Sequence, residues 1–142
     1  MRRNLFAVAL ALLLSHHAYS ADNNLKIRLR IENRVLTATL IDNKTAHDFI
    51  SLLPLTLTMD DLFRREKYGS LPRTLSKGER THSYEVGNIG YWSPGPDVAI
   101  YYRNDGEQIP DPGIVLIGKI DSGIEVFNVP DSVKVTIELA VQ

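Results

Sequence analysis

Apolar and polar positions alternate with a period of two in several short stretches of this chain. Such alternation is typical of β-strands that bury one face. Ile27, Leu29 and Ile31 alternate with charged residues, and a segment rich in β-branched residues, 35–41, follows a short turn. The pattern therefore predicts a β-hairpin over residues 26–41.

Further short segments alternate in the same way or are continuously apolar, and Gly, Pro or polar residues bound them. They are 55–59, the two halves of 84–103 on either side of Pro94-Gly95-Pro96, 114–120 and 133–141. In the first half of segment 84–103, alternation places Ile89 and Tyr91 on one face and Trp92 on the other. In the second half, it places Val98, Ile100 and Tyr102 on one face and Ala99, Tyr101 and Arg103 on the other; one set of residues should fill the barrel.

The spacing changes to that of a helix after residue 44. Ala46, Phe49, Ile50 and Leu53 recur at helical intervals, and Pro54 ends the segment. Thr45 and Asp48 resemble a capping box, so we expect the helix to begin there.

Two more segments predict short helical turns. In the charged segment 60–67, Asp60 with Arg64 and Asp61 with Arg65 lie four residues apart, which favours a helical turn. The second helical turn is expected over residues 124–127. Residues 68–83 and 104–113 predict loops, and long loops are often functional.

Together these elements predict a mainly β fold: a closed or nearly closed β-barrel of about seven strands with two or three short helices. The first and last strands of the mature chain are the clearest in the pattern. In a barrel they can pair with each other, which removes exposed strand edges.

The N-terminal residues predict a secretory signal peptide over 1–20. Arg2 and Arg3 precede an apolar run, 5–14, and small residues at Ala18 and Ser20 suit cleavage before Ala21. The run is too short to span a bilayer, which needs about 20 residues. We therefore expect a periplasmic or secreted domain of residues 21–142 with no membrane anchor after cleavage.

The net charge and the absence of Cys limit the functions that we expect of this protein. Removing Arg2 and Arg3 from the 16 basic residues leaves 14 against 17 acidic ones, a formal net charge of −3. A weakly acidic chain lacks the basic footprint of a nucleic-acid-binding protein. The chain has no Cys, so it has neither disulfides nor thiolate chemistry.

No motif assigns a catalytic residue. The chain has no nucleophile elbow, no phosphate-binding glycine loop and no zinc-protease motif. The adjacent Asp60 and Asp61 do not converge on one point, because consecutive side chains diverge. His47 and His82 are the only His residues after residue 20, so we do not expect a structural zinc site. Asp residues could form a site for a hard cation, but no ligand spacing indicates one, and we expect no metal and no cofactor.

At the aromatic segment the chain resembles the small bacterial cyclophilin-like domain family, which shares the fold of cyclophilins but lies apart from the true isomerases. The matching pieces run in order along nearly the whole mature chain: 27–29, 37–40, 42–49, 53–57, 66–72, 84–92, 99–102 and 112–120. The resemblance implies one β-barrel capped by short helices and no established reaction.

A cluster of aromatic and arginine residues that no catalytic or metal-binding motif accounts for predicts a ligand-binding site. Tyr, Trp and Arg couple apolar area to a polar tip and are typical of binding surfaces. The candidate ligand-binding residues are Arg73, Tyr84, Trp92, Tyr102 and Arg103; the alternative is that they only pack.

Three functions fit these patterns. The first is an exported binding or accessory module for a peptide or a small molecule. The second is a divergent peptidyl-prolyl cis-trans isomerase, although the Arg, aromatic, Met and Gln string of the true enzymes is missing. The third is a scaffold that acts through oligomerisation, and the sequence does not indicate an oligomeric state.

Overall fold

The computed structural model describes residues 25–140, so the predicted signal peptide lies outside the described residues. Eight strands form a closed barrel in which every neighbouring pair is antiparallel. The strands are β1 (Lys26–Ile31), β2 (Arg34–Leu40), β3 (Leu55–Leu62), β4 (Glu66–Ser70), β5 (Asn88–Trp92), β6 (Asp97–Tyr101), β7 (Val115–Ile120) and β8 (Val133–Leu139). Their order around the barrel is β1-β2-β7-β5-β6-β4-β3-β8.

Strand alternation fills the barrel as the sequence predicts. Ile27, Leu29 and Ile31 of β1 are buried in the central core, whereas the basic residues between them are more exposed. β1 pairs with β2 on one side and with β8 on the other. The predicted hairpin and the predicted pairing of the first and last strands are therefore both confirmed.

Helix α1 (Lys44–Ile50) starts one residue before the predicted start and uses a different cap. Asn43 is the N-cap, and its side-chain oxygen accepts a hydrogen bond from the Ala46 amide at 2.8 Å. The capping box expected at Thr45 and Asp48 is wrong. Both side chains instead bind Ser76 of the long loop, so they anchor that loop to the helix.

The helical turn predicted over 60–67 is also wrong. Strand β3 continues to Leu62, and β4 begins at Glu66 after a tight turn. The reason is that Asp61 and Lys67 point into the barrel as a pair, 2.8 Å apart, so strand alternation continues through the charged segment. The described residues contain one α-helix and one 3₁₀-helix (Ile124–Phe127), so the third helical segment that the pattern predicts is absent from them.

Strand β6 is buried on both faces, and this positions the candidate site. Its inward residues Val98 and Ile100 join the central core, together with Tyr102 just after the strand. Its outward residues Ala99 and Tyr101 belong to a second apolar cluster outside the barrel, which loop 104–113 covers with Ile109. The faces predicted for this segment are confirmed, except that Arg103 lies exposed beyond the strand.

Candidate functional site

A groove lies on the outside of the barrel, over β4, β5 and β6 and beside loop 104–113. It encloses about 150 Å³, and we call it the outer groove. Its apolar lining consists of four aromatic residues and four aliphatic ones: Phe63, Tyr68, Trp92, Tyr101, Leu62, Ala99, Ile109 and Pro110. Ligand sites are typically concave and mostly apolar with a few placed polar groups, and this groove has that character.

Strand register explains why these side chains meet. Tyr68 of β4 stands opposite Ala99 of β6, and Glu66 stands opposite Tyr101. Trp92 of β5 stands opposite Asp97 at the far end of β6. Residues that face each other across antiparallel strands share a face, so the outward residues of three strands line one surface.

The turn between β3 and β4 forms one rim of the groove. Phe63 and Arg64 both have left-handed backbone conformations, with φ of 57° and 50°. This geometry is unfavourable for residues that carry a Cβ, and it holds the Phe63 ring 69% exposed beside the groove. Strained turns of this kind are concentrated at functional sites, so the rim is a candidate contact surface.

Arg65 is the positive group of the groove, and its guanidinium is fully engaged. Its side chain is 5% exposed; its Nε donates a hydrogen bond to Oε2 of Glu66 at 2.9 Å, and its Nη2 forms an ion pair with the same oxygen at 2.8 Å. Asp105 lies 3.6 Å from the same guanidinium. The guanidinium also stacks over the rings of Phe63 and Tyr84, at 5.4 and 5.7 Å.

Glu66 is the most buried carboxylate of the groove, with a side chain that is 8% exposed. Burial raises the pKa of Glu66 above its usual range, and the attraction of Arg65 opposes this only in part. The hydrogen bond and the ion-pair contact from Arg65 both go to Oε2. Within residues 25–140, no group donates a hydrogen bond to Oε1, which leaves this oxygen available to a ligand in the groove.

Asp97 is the second carboxylate of the groove, at the end where Trp92 stands. One oxygen accepts a hydrogen bond from the Ser70 hydroxyl at 3.2 Å. Within the described residues Asp97 has no basic partner. Its negative charge is therefore uncompensated where it borders the groove.

A second polar cluster lies inside the barrel, and its groups are satisfied by one another. The Lys67 ammonium, which is fully buried, donates to Asp61 and to the backbone carbonyls of Val129 and Asp131. The Tyr102 hydroxyl also donates to Asp61. Burial and the hydrogen bond to this carboxylate raise the pKa of Tyr102 to about 12. Because the Lys67 ammonium already has three acceptors, it has no bond left for a ligand, and the role of the cluster is structural.

The structure does not bring the five predicted ligand-binding residues into one site. Of the five, only Trp92 lines the outer groove. Tyr84 lies behind it, stacked on Tyr101 with ring centroids 4.3 Å apart. Tyr102 points into the barrel, where it belongs to the central core and to the inner polar cluster.

The two predicted arginines have positioning contacts. Arg103 donates to the backbone carbonyls of Arg64 and Phe63, at 2.6 and 3.4 Å, so it braces the turn at the groove rim. Arg73 binds the Ser51 hydroxyl at the end of α1 and the carbonyl of Thr74. Neither guanidinium lines the outer groove.

The sequence pattern does not predict the charged residues of the groove, Arg65, Glu66 and Asp97. A signal for Glu66 is present: if alternation is extended through 60–70, Glu66 and Tyr68 fall on the face opposite to Asp61 and Lys67. Phe63 carries no such signal, because nothing in its neighbourhood indicates a turn with two left-handed residues.

Comparison with known proteins identifies the family. The family model described as "Cyclophilin-like family" matches residues 29–138, so the chain belongs to the cyclophilin-like family. The solution structure of the hypothetical protein AF2241 from Archaeoglobus fulgidus is similar, with a TM-score of 0.67 and 21% identity. The match covers 86% of this chain and 99% of that one, and at this identity it supports the fold alone. A comparison with curated proteins found no match.

Neither a membrane-spanning helix nor a metal-binding cluster occurs within residues 25–140. No helix in that range is long and apolar enough to cross a membrane. The same residues contain no group of three or more His, Asp or Glu side chains placed to hold a metal ion.

Proposed function

We propose that this cyclophilin-like protein is a binding module whose outer groove accepts one side chain of a peptide or a small molecule of similar size. The observation that carries the proposal is the aromatic lining of the groove, with four rings and a half-buried Trp92. Sites for drug-sized ligands enclose roughly 300–1,000 Å³. A groove of about 150 Å³ therefore suits a single side chain.

The isomerase alternative has less support. Weakening the resonance of a prolyl amide requires a guanidinium that can approach the prolyl nitrogen. Arg65 is the guanidinium of the outer groove, and it is held by Glu66 and Asp105. Catalysis of prolyl isomerisation in a protease-coupled peptide assay, at micromolar protein, would reverse this preference.

Trp92 gives a direct test of binding, because it is the only Trp of the chain. We expect its indole NMR signal to shift on titration with the N-acetyl methylamides of leucine, phenylalanine or proline. One side chain offers few contacts, so dissociation constants in the millimolar range are expected. If none of the three compounds moves the indole signal, the proposal fails.

A pair of variants locates the binding. Tyr68→Ala removes one aromatic wall, and we expect it to weaken binding of the best probe about tenfold, since a buried aromatic contact contributes roughly 1–3 kcal/mol. Val35→Ala is the matched control, because Val35 is 50% exposed and lies on β2, outside the groove. Equal loss in both variants would argue against binding in the groove.

We also propose that the protein acts after export, on the strength of the signal-peptide pattern in residues 1–20. The expected mature chain begins at Ala21. Mass spectrometry of the protein from the periplasm or medium of a bacterial host tests this, and an intact N-terminus in a cytoplasmic fraction would contradict it.

A further inference from the structure

The charges around the outer groove indicate what kind of ligand it selects. Arg65 is the positive group of the lining, and Glu66 and Asp97 are both negative. Asp105 adds a further negative charge directly behind Arg65, at 3.6 Å. One positive and three negative groups carry a net charge of −2 when ionised, and Asp97 is the one of the three carboxylates that has no ion pair with Arg65.

Aromatic walls strengthen the preference for a positive group. Trp92 stands opposite Asp97, and Tyr68 stands opposite Ala99, midway along the groove between Asp97 and Glu66. Ring faces attract cations by about 0.5–2 kcal/mol, with Trp the strongest partner. A carboxylate beside two such rings is an arrangement that favours an organic cation over a neutral group of the same shape.

The opposite end of the groove offers an acceptor to a hydrogen-bond donor. The Glu66 side chain is more than nine-tenths buried, and its Oε1 receives no hydrogen bond from residues 25–140. This oxygen is not buried without a partner, so it is open to solvent at the groove, and an N–H donor on a ligand can bind it there. Glu66 and Asp97 thus present acceptors from the two ends of one apolar groove.

We infer that the outer groove selects an elongated organic cation: a primary ammonium on an apolar stem, with the charge at the Asp97–Trp92 end and an N–H donor at Glu66 Oε1. A lysine side chain with its backbone amide has this form, and so does a small alkyl amine that carries a second donor. The inference rests on the proposed binding function and specifies its ligand class.

The test compares two probes that differ only in the charged group. N-acetyl-lysine methylamide and N-acetyl-norleucine methylamide share the stem, and the indole signal of Trp92 reports both. We expect the lysine compound to bind about fivefold tighter or more, which corresponds to roughly 1 kcal/mol of cation–π attraction. Equal affinities would overturn the inference and leave the proposed binding function standing. Absence of any shift with either compound would overturn both.

The variant Asp97→Asn tests whether the negative charge of Asp97 causes the preference for a cationic ligand. Because Asp97 has no basic partner among the described residues, the variant should fold normally. We expect it to lose the preference for the lysine compound and to keep its affinity for the norleucine compound. Asp131→Asn is the matched control, since Asp131 is exposed, lies outside the groove and changes the net charge equally. The same loss in the control would overturn the inference.

Glu66→Gln tests the donor end and carries a risk to folding, because it removes the partner of Arg65. Thermal unfolding is therefore measured first. In a folded variant we expect weaker binding of the lysine compound and little change for butylammonium, which lacks the amide donor. Tighter binding of N-acetyl-lysine methylamide than of butylammonium to the native protein supports a second donor at Glu66, and equal binding would overturn that part of the inference.

Discussion

At the level of single residues, the outer groove depends on a turn that is unfavourable for the residues it contains. Phe63 and Arg64 occupy positions with positive φ, where hairpin turns normally carry Asn or Gly. The turn is held from outside by Arg103, which binds the carbonyls of both residues. The ring of Phe63 then lies over the Arg65 guanidinium at the groove rim.

A pair of substitutions at Phe63 separates backbone strain from side-chain contact. Phe63→Asn and Phe63→Ala both remove the ring, but Asn tolerates the left-handed conformation better than Ala. We expect the free energy of unfolding of the Asn variant to exceed that of the Ala variant by about 0.5–1 kcal/mol. Urea unfolding measures the difference. A more stable Ala variant would show that the turn does not hold its left-handed geometry in solution.

At the level of strands and connectors, the inner polar cluster joins elements that the apolar core alone would not connect. Asp61 of β3 binds Lys67 of β4 and Tyr102 after β6. Lys67 in turn binds carbonyls of the connector that precedes β8. This cluster holds the β3–β4 hairpin, and with it the Phe63 rim, against the barrel.

Two adjacent aspartates test the role of this cluster. Asp61→Asn removes the charged partner of a fully buried ammonium, so we expect it to lower the free energy of unfolding by about 3 kcal/mol. Asp60 points outward and binds only the Ser132 hydroxyl, so Asp60→Asn should cost less than about 1 kcal/mol. Denaturant unfolding compares the two. Similar losses would mean that the buried pair has no special role in stability.

At the level of the whole molecule, the barrel contains carboxylates whose contributions to stability change with pH in opposite directions. Burial disfavours the ionised form of Asp61, but hydrogen bonds from Lys67, Tyr102 and Arg64 outweigh it and hold the pKa of Asp61 below its usual value of 3.8. Burial also opposes ionisation of Asp121, and hydrogen bonds from Lys26 and two threonines again hold its pKa below 3.8. Glu66 differs, because burial raises its pKa above 4.5.

These shifts predict a maximum of stability in weakly acidic solution. A carboxylate with a lowered pKa in the fold stabilises it above about pH 3.8, and this contribution is lost as the pH falls further. Glu66 binds its proton more tightly in the folded state, so stability falls as the pH rises from 4.5 through its raised pKa. Urea unfolding at pH 7, 5 and 3 should give the largest free energy at pH 5.

The variant Glu66→Gln provides the control for the upper limb of this profile, which is the decrease in stability between pH 5 and pH 7. It has no titratable group at position 66, so the decrease between pH 5 and pH 7 should shrink while the decrease below pH 4 remains. An unchanged upper limb would mean that another group causes it.

The barrel follows from local signals in the chain, because period-two alternation and Gly or Pro boundaries specify strands that the fold then forms. The positions of β1, β2, β5 and β6 and the division of β5 and β6 into two faces follow from this pattern, but the pattern does not decide which face lies inside the barrel. Membership of the cyclophilin-like family is likewise carried by short pieces of sequence spread along the chain, so it needs no knowledge of which strands pair.

The candidate site depends on tertiary structure, since its members come from separate segments that strand register brings together. Glu66, Asp97 and Trp92 share a groove because β4, β5 and β6 are neighbours, and no local pattern states which strands pair. The helical turn expected over 60–67 is wrong for the same reason. Asp61 and Lys67 lie at inward positions of two strands and neutralise each other as an ion pair. The order of residues along the chain does not show that these two charges pair inside the barrel.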